Sequence, residues 1–337
     1  MNRLAIIVLN WNGSDDAIEC IKSLTSQALK PAIIIVDNNS SDNSVDIFES
    51  YITSHQKEDI TLIRNPRNLG FAGGINTGLR YALTQKFEFV GVLNPDAVAD
   101  IDWCRSLLSE LAGHNDCGIV TGLLARRDGK TIDSSGDFYT TWGLPGPRGR
   151  DEPIKNAPDK PGEVFGATGG GAIYRAEIFD DIDMFDEDFF MYYEDVDLSF
   201  RAQLAGWKVR FTPKAVAYHK VGASSKKVPG LAVYNTFKNL PLVFIKNVPG
   251  KLFWYIGLRF FLAYWLIFAS AVRHGSGWPA LKGVLVSIIH KPAAYHKRLS
   301  IQRSRRVSVD YIHGIIHDGP LPNQTGLLKF KRFFRMR

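Results

Sequence analysis

Cysteine is scarce in this sequence of 337 residues: Cys20, Cys104 and Cys117 are the only three, and no two of them form a Cys-x-x-Cys pair. That count and spacing argue against a disulfide framework or a cysteine-based zinc site, and they predict a reducing compartment. A secretory leader is not expected either. The apolar run Leu4–Leu9 is too short for a signal-peptide core, so we predict that it forms a buried first strand.

Acidic residues are almost missing from the last part of the chain. From residue 208 to residue 337 there are 23 lysines and arginines but only two acids, Asp310 and Asp318, whereas the preceding part carries a net charge of −14. This asymmetry indicates a polyanionic partner for the C-terminal part, either anionic lipid or nucleic acid. The overall balance of 45% apolar and 22% charged residues is that of an ordinary globular protein.

The first hundred residues alternate short apolar runs with amphipathic segments, which predicts an α/β fold with a doubly wound, mostly parallel sheet. We expect strands at Leu4–Leu9, Ala32–Val36, Thr61–Ile63 and Glu88–Leu93, with helices at 15–27, 43–54 and 74–85 between them. Ligands of such sheets lie beyond the carboxyl ends of the strands. Polar clusters follow all four predicted strands, so we expect a binding site at that edge.

The remaining chain is less regular. Residues 125–163 are rich in glycine, proline and charge, which predicts a long mobile loop. A helix is predicted at 194–205, ending at Gly206, with short strands near 208–211 and 215–218 after it. Residues 240–289 are apolar and aromatic, and they are interrupted by three prolines, at positions 241, 249 and 279.

Two of the polar motifs suit a nucleotide. The segment 36–43 places Asp37 and several Asx and Ser side chains at a strand end, where they can bind a base or a ribose; an Asx turn with a helix cap explains the same residues. The segment 64–76 opens a helix with glycines and carries Arg64 and Arg67, a combination that favours a phosphate. It is not a P-loop, because no Gly-Lys-Ser/Thr follows.

Three further features suit metal and acid–base chemistry. Asp96 in Asn94-Pro95-Asp96 can hold a divalent cation, although a proline turn is the alternative. The segment 185–198 combines a dense acidic cluster with five aromatic residues, which suits a sugar, while helix-dipole stabilisation accounts for some of its acids. His219 follows an apolar strand, and a lone histidine in that position is commonly structural.

Together and in this order, the motifs resemble the family 2 glycosyltransferases of bacterial polysaccharide assembly, especially the rhamnosyltransferase-like branch. The matching segments, which cover about residues 4–220, are IIVLNWNG, IIIVDNNSSDNS, RNPRNLGFAGGIN, VLNPDA and FDEDFFMYYEDVDLSFRAQLAGW followed by VAYH. The resemblance implies an inverting enzyme with the GT-A fold. It further implies a catalytic domain at 1–225, with the nucleotide sugar bound by about 1–100 and the acceptor by about 101–225. For residues 226–337, the basic and apolar composition predicts a membrane-associating helical region.

The resemblance also implies roles for individual residues. Asp37 would recognise the nucleobase, and Asp195 would be the general base. Asp96 and His219 would bind Mg²⁺ or Mn²⁺, although Asn94 stands where the family's metal motif has its first acid. The other implied site residues line the nucleotide-sugar pocket or, in the case of Glu194, the acceptor pocket: Asn10, Asn39, Arg64, Asn68, Gly70, Asn94 and Glu194.

The implied reaction transfers a sugar, with L-rhamnose from dTDP-rhamnose as the first choice and UDP-hexoses open, onto a polyprenyl-diphosphate-linked glycan. A nucleotidyltransferase is a rival interpretation, but it needs a glycine-rich signature with a lysine near the N-terminus, and residues 10–13 read Asn-Trp-Asn-Gly. A nucleic-acid-binding module is another, but the tail aromatics cluster in apolar runs and do not interleave with the bases, which favours an anionic membrane surface over nucleic acid.

The apolar segment Leu252–Val272 is long enough to span a bilayer. Arg259 within it would cost about 2.5–3.5 kcal/mol at the bilayer centre. Helices lying in the interface, a spanning helix and a packed helical hairpin all remain open. We expect interfacial binding, with the protein peripheral to the cytoplasmic face of a bacterial inner membrane.

Overall fold

The computed structural model describes residues 4–220 and 228–319. The strands are β1 (Leu4–Asn10), β2 (Ala32–Asp37), β3 (Ile60–Arg64), β4 (Phe89–Leu93), β5 (Ala97–Ala99), β6 (Cys117–Arg126), β7 (Ile132–Ser134), β8 (Asp137–Tyr139), β9 (Pro145–Pro147), β10 (Gly162–Val164), β11 (Gly171–Arg175) and β12 (Lys208–His219). The helices are α1 (Ser14–Thr25), α2 (Ser44–Ser54), α3 (Gly70–Thr84), α4 (Trp103–Ala112), α5 (Ile178–Ile182), α6 (Glu194–Leu204), α7 (Leu231–Asn247), α8 (Gly250–Arg273), α9 (Gly277–Arg303) and α10 (Val309–Ile315). Short 3₁₀ turns lie at Ile154–Asn156 and Glu187–Phe189.

One ten-stranded sheet runs through residues 4–219 in the order β10-β12-β6-β11-β4-β1-β2-β3, with β5 paired to β12 and β7 to β6. The strands β3, β2, β1 and β4 are mutually parallel. Every residue of β1 is buried, as expected for a strand that is covered by helices on both faces of the sheet. The predicted α/β fold with a large, mostly parallel sheet is confirmed.

The other half of the sheet contains an antiparallel strand. β11 runs antiparallel to both β4 and β6, so it inserts between the parallel strands. The sequence predicted two short strands here, but β12 is one continuous strand. Its pairing with β6 shifts in register between Thr212 and Val216. Pro213 lies in that shift and cannot donate a ladder hydrogen bond, which explains why the sequence pattern looked broken.

The prediction of a long mobile loop at 125–163 is wrong. This segment contains β7, β8, β9 and β10, and the side chain of Tyr139 in it is fully buried. Local hydrogen bonds hold the segment: Ser134 Oγ donates to Asp137 Oδ1 at 3.1 Å, and the backbone groups of Asp137 and Gly166 bond to each other. Glycine and proline form the turns between these short strands, and their frequency made the segment resemble an irregular loop.

The C-terminal helices α7 to α10 share a hydrophobic core with the part of the chain that contains the sheet. One buried cluster joins Phe165, Phe189 and Phe200 to residues of α7, α8, α9 and α10, including Phe237 and Phe260. The predicted domain boundary between 225 and 226 lies outside the described residues.

The prolines of this region differ in their effect. Pro249 precedes α8 and Pro279 lies in the first turn of α9, where a proline is tolerated. Pro241, by contrast, lies inside α7 and does not end it, so this predicted break is wrong.

Candidate active site

The end of β1 meets the end of β2 at a polar pair. Asn10 and Asp37 are partners in the parallel register, and Asn10 Nδ2 donates to Asp37 Oδ1 at 3.1 Å. Ser40 tightens the pair: its hydroxyl donates to Asp37 Oδ1 at 2.6 Å and its backbone N–H donates to Asp37 Oδ2 at 3.0 Å. The Oδ1 atom of Asn10 is buried and has no hydrogen-bond partner. The predicted nucleotide residues Asn10 and Asp37 therefore form one buried unit with an acceptor available.

A second network connects this pair to the start of α3. Asn38 Nδ2 donates to Asn68 Oδ1 at 3.0 Å and to the carbonyl of Gly70 at 2.9 Å, while Asn68 Oδ1 also accepts from the backbone N–H of Gly70. Gly70 has a φ of 72°, and a Cβ there would lie 2.4 Å from the carbonyl oxygen of Phe190. Only glycine fits that contact between α3 and the acidic–aromatic segment. Sequence reasoning missed Asn38.

Two more of the predicted nucleotide-side residues, Arg64 and Asn39, lie at the same edge. Arg64 is the register partner of Asp37 at the end of β3, and it forms an ion pair with Glu49 of α2. Asn39 is exposed and has a φ of 62°, in the left-handed region that asparagine tolerates better than most residues.

His219 lies between two carboxylates. Its Nε2 is 3.0 Å from Asp96 Oδ1 and 3.3 Å from Asn94 Nδ2, and its Nδ1 is 2.8 Å from Asp133 Oδ2. Burial lowers the pKa of His219, but the hydrogen bonds to Asp133 and Asp96 outweigh it and raise the pKa to about 9. Asp133, in turn, is ion-paired with Arg150 at 2.9 Å. The structure thus brings Asn94, Asp96 and His219 together and adds Asp133, which no sequence motif indicated.

Asp96 and His219 are suited to hold a divalent cation. Within 4–220 and 228–319 no three His, Cys, Asp or Glu side chains group as a metal site. Asp96 Oδ1 and His219 Nε2 nevertheless face each other, so one ion can bind both, and Asp133 would hold the Nδ1–H that fixes the ring, as carboxylates commonly do behind metal-binding histidines. Cations with few protein ligands complete their shell with water and phosphate oxygens.

Asp195 lies next to this pair, across two glycines. Its Oδ2 accepts from the backbone N–H of Gly169 and its Oδ1 from that of Val196, both at 2.8 Å. The neighbouring Gly170 carbonyl accepts from the backbone N–H of Asn94 at 3.0 Å. A Cβ on Gly169 would lie 3.0 Å from Asp195 Oδ2, so glycine keeps that carboxylate uncovered. The glycine run 169–171 was the sequence signal for this segment, and sequence reasoning did not use it.

Two buried acids, Glu194 and Asp137, lie beside the half-buried Asp195. Burial, and then the charge of Asp195, raises the pKa of Glu194 well above its ordinary value, and its Oε2 has no hydrogen-bond partner. The same two causes raise the pKa of Asp137 to about 7. For Asp195 itself, burial raises the pKa while the backbone hydrogen bonds oppose the shift. This shift favours the neutral form of Glu194, which suits a hydrogen-bond donor better than a proton acceptor.

The segment before Asp195 is strained and is held from α7. Phe190, Tyr192 and Tyr193 have φ values of 63°, 69° and 73°, which are unusual for such bulky residues. Asn239 Nδ2 lies within 3.0 Å of the carbonyl oxygens of Phe189, Met191 and Tyr192. A helix of the C-terminal region thus fixes the loop that leads into the candidate base.

Ion pairs add a second connection between the two regions. Lys246 of α7 is buried and pairs with both Asp186 and Asp197, the latter at 2.8 Å. Asp197 also pairs with Arg201 at 2.9 Å. Because two cations already hold its carboxylate, Asp197 is a structural acid.

This fold and this arrangement of residues define a glycosyltransferase. The model of glycosyl transferase family 2 matches residues 5–183, more than half of the chain, so the chain belongs to that family. Similar solved structures have the GT-A fold. One is a mannosyltransferase from Pyrobaculum calidifontis in complex with GDP-Man and Mn²⁺ (18% identity, TM-score 0.55, 88% of this chain and 87% of that one), and another is a TarS fragment from S. aureus with UDP-GlcNAc (15%, 0.53, 93% and 92%).

A curated relative gives a more particular comparison. The low-salt glycan biosynthesis hexosyltransferase Agl10 of Haloferax volcanii is 27% identical over 209 residues, which are 60% of this chain. The match spans 62% of the length of Agl10.

Proposed function

We propose that this protein is an inverting hexosyltransferase that transfers a sugar from a nucleotide diphosphate onto a glycan acceptor. The observation that carries the proposal is the position of Asp195, one peptide segment away from the Asn94–His219–Asp96 group. A base and a diphosphate-binding group must lie on opposite sides of the anomeric carbon for an in-line displacement. Family membership and the similarity to a hexosyltransferase of glycan biosynthesis support the same reaction.

In this reaction Asp195 would take the proton of the acceptor hydroxyl as its oxygen bonds to the anomeric carbon. The bond from that carbon to the diphosphate oxygen breaks on the opposite face, so one displacement inverts the configuration. Asp37, with Asn10, would bind the base, and Glu194 would orient the acceptor. Asp96 and His219 would hold Mg²⁺ or Mn²⁺, which when bound neutralises charge on the leaving diphosphate.

The finer assignments belong to the same proposal. The donor is dTDP-L-rhamnose, as the resemblance of the motifs to the rhamnosyltransferase-like branch suggests, and the acceptor is a polyprenyl-diphosphate-linked glycan of a surface polysaccharide. A lipid-linked acceptor fits a protein that is peripheral to the cytoplasmic face of a bacterial inner membrane.

The test is a donor panel. The purified chain is incubated with Mn²⁺, an acceptor lipid and dTDP-rhamnose, UDP-GlcNAc, UDP-Glc or GDP-Man, and release of the nucleotide diphosphate is measured. We expect one donor to dominate and Asp195→Asn to abolish its turnover. A product that retains the donor's anomeric configuration would contradict the single displacement, and release from UDP-GlcNAc alone would overturn the rhamnose assignment.

A further inference from the structure

The outward face of α8 is apolar along its whole length. Its exposed positions recur at helical spacing and include Trp254, Leu258, Phe261, Leu262, Trp265 and Leu266. Trp254 and Leu258 are 81% and 79% exposed. Soluble proteins seldom leave so long an apolar stripe uncovered, and such surfaces usually mark an interaction site.

The next helix repeats the pattern. After the turn at 274–276, α9 exposes Trp278, Leu285, Ile288 and Ile289, the last of them to 74%. We call the exposed apolar residues of α8 and α9 the apolar face.

Charge around the apolar face selects its partner. No Asp or Glu occurs between Asp197 and Asp310, and the exposed charged residues of the two helices are all basic: Lys251, Arg273, Lys282, Lys291 and Arg303. The Nζ of Lys282 lies 5.0 Å from the ring centroid of Trp278. Apolar and aromatic side chains bordered by cations, with no acid among them, match the boundary between the acyl chains and anionic headgroups of a bilayer.

The opposite face of α8 shows how the helix lies. By length and composition α8 is long and apolar enough to cross a membrane, but its other side packs on α7. The rings of Phe260 and Phe244 stack at 4.8 Å, and Tyr264 Oη donates to the carbonyl of Phe237 at 2.7 Å. A spanning α8 would pull α7, and with it the loop at 189–192, into the hydrocarbon.

We propose that the apolar face docks on an anionic lipid bilayer, with α8 and α9 lying in the interface and not crossing it. The proposal extends the proposed function, since a lipid-linked acceptor is presented at such a surface. Docking would also place the membrane near the candidate acceptor site. The helix behind α8 is α7, and its residues Asn239 and Lys246 hold the segment that leads into Asp195.

Flotation of the full chain with vesicles tests the proposal. Vesicles of phosphatidylcholine with 30–40% phosphatidylglycerol, a range of roughly physiological negative charge, are compared with phosphatidylcholine alone. We expect binding to need the anionic lipid and to fall in high salt, because the Debye length shrinks from about 10 Å at 0.1 M to about 3 Å at 1 M. The double variant Leu258→Ser/Phe261→Ser should lower the partition coefficient by about tenfold or more, since it removes two exposed apolar side chains.

Ile101→Ser is the matched control, because Ile101 is 57% exposed but lies between β5 and α4, away from the apolar face. It should bind vesicles as the native chain does, and all three proteins should bind UDP or dTDP equally, which shows that they are folded. Equal flotation of the double variant and the native chain would overturn the proposal. So would carbonate-resistant insertion, or a native dimer that the double variant converts to a monomer while neither protein binds vesicles. Flotation measures vesicle binding and does not require sugar transfer. A failure of the proposed function would appear in the donor panel and not in this assay.

Discussion

Replacing Asp195 by asparagine separates the chemistry of this site from its architecture. The amide cannot accept a proton, and general-base catalysis typically supplies about 10²–10⁴-fold in rate, or roughly 3–5 kcal/mol of barrier. We therefore expect kcat for the preferred donor to fall by about that factor. Donor affinity should be unchanged, because Asp37 and its partners are untouched.

The structure adds a stability cost to this variant. Both carboxylate oxygens of Asp195 accept a backbone N–H at 2.8 Å, from Gly169 and from Val196. An asparagine keeps only one acceptor, so one of these N–H groups must face an amide NH₂. A buried donor left unpaired costs about 1–3 kcal/mol, so the free energy of unfolding should fall by that amount without preventing folding.

The assay combines three measurements on purified protein: the melting temperature, the dissociation constant for the nucleotide diphosphate, and turnover. Glu194→Gln is the matched comparison, since Glu194 is the adjacent buried acid and its raised pKa favours the neutral form, which glutamine imitates. Losing or weakening one hydrogen bond to the acceptor should cost this variant about tenfold or less. A folded, donor-binding Asp195→Asn enzyme with near-normal turnover would refute the base assignment.

Three further predictions follow from the same contacts. A pyrimidine nucleotide diphosphate at a hundred times its dissociation constant should stabilise the chain by about 2.7 kcal/mol in thermal unfolding, and EDTA should reduce that gain; equal stabilisation by purine nucleotides would remove the base-reading role of Asp37. Lys246→Met should cost about 3 kcal/mol in denaturant unfolding because it removes the buried cation that Asp186 and Asp197 share, although Asp197 keeps Arg201 and Asp186 keeps Lys297. Lys297→Met, at a side chain that is 40% exposed, should cost about 1 kcal/mol or less; similar losses would contradict a buried ion pair as the cause. Gly70→Ala should lower stability by about 1–3 kcal/mol from its positive φ alone, and also turnover, since its Cβ would push on the Phe190 carbonyl; a variant with native melting temperature and kcat would show that this contact is not rigid.

The parallel half of the fold was predictable because its signals are local. Runs such as Leu4–Leu9 and Ala32–Val36 are continuous stretches of residues buried on both faces, and polar residues mark where each strand ends. The segment 125–163 was not predictable in this way. Its strands are three residues long, shorter than any periodicity can reveal, and they exist because they pair with distant partners such as β6 and β12.

Local signals also explain which candidate site residues the sequence indicated. The motifs lie at the ends of regular elements: Asp37 and His219 end strands, Asp96 follows β4, and Asp195 lies in the first turn of α6. Asp133 reaches His219 from 86 residues away through the pairing of β7 with β6, and no pattern within its own segment signals that contact.

Asn239 fixes the backbone of the loop before Asp195 and leaves the side chains of that loop free to vary. Asn239 bonds to three carbonyl oxygens, atoms that every amino acid supplies, and to no side chain of the loop. These hydrogen bonds to the backbone do not depend on the side chains of Met191 and Tyr192, which are only partly buried. We therefore expect the path of the loop to survive replacement of either residue. Substitutions at those two positions can therefore change the side chains that the loop presents while the Asp195 carboxylate keeps its place.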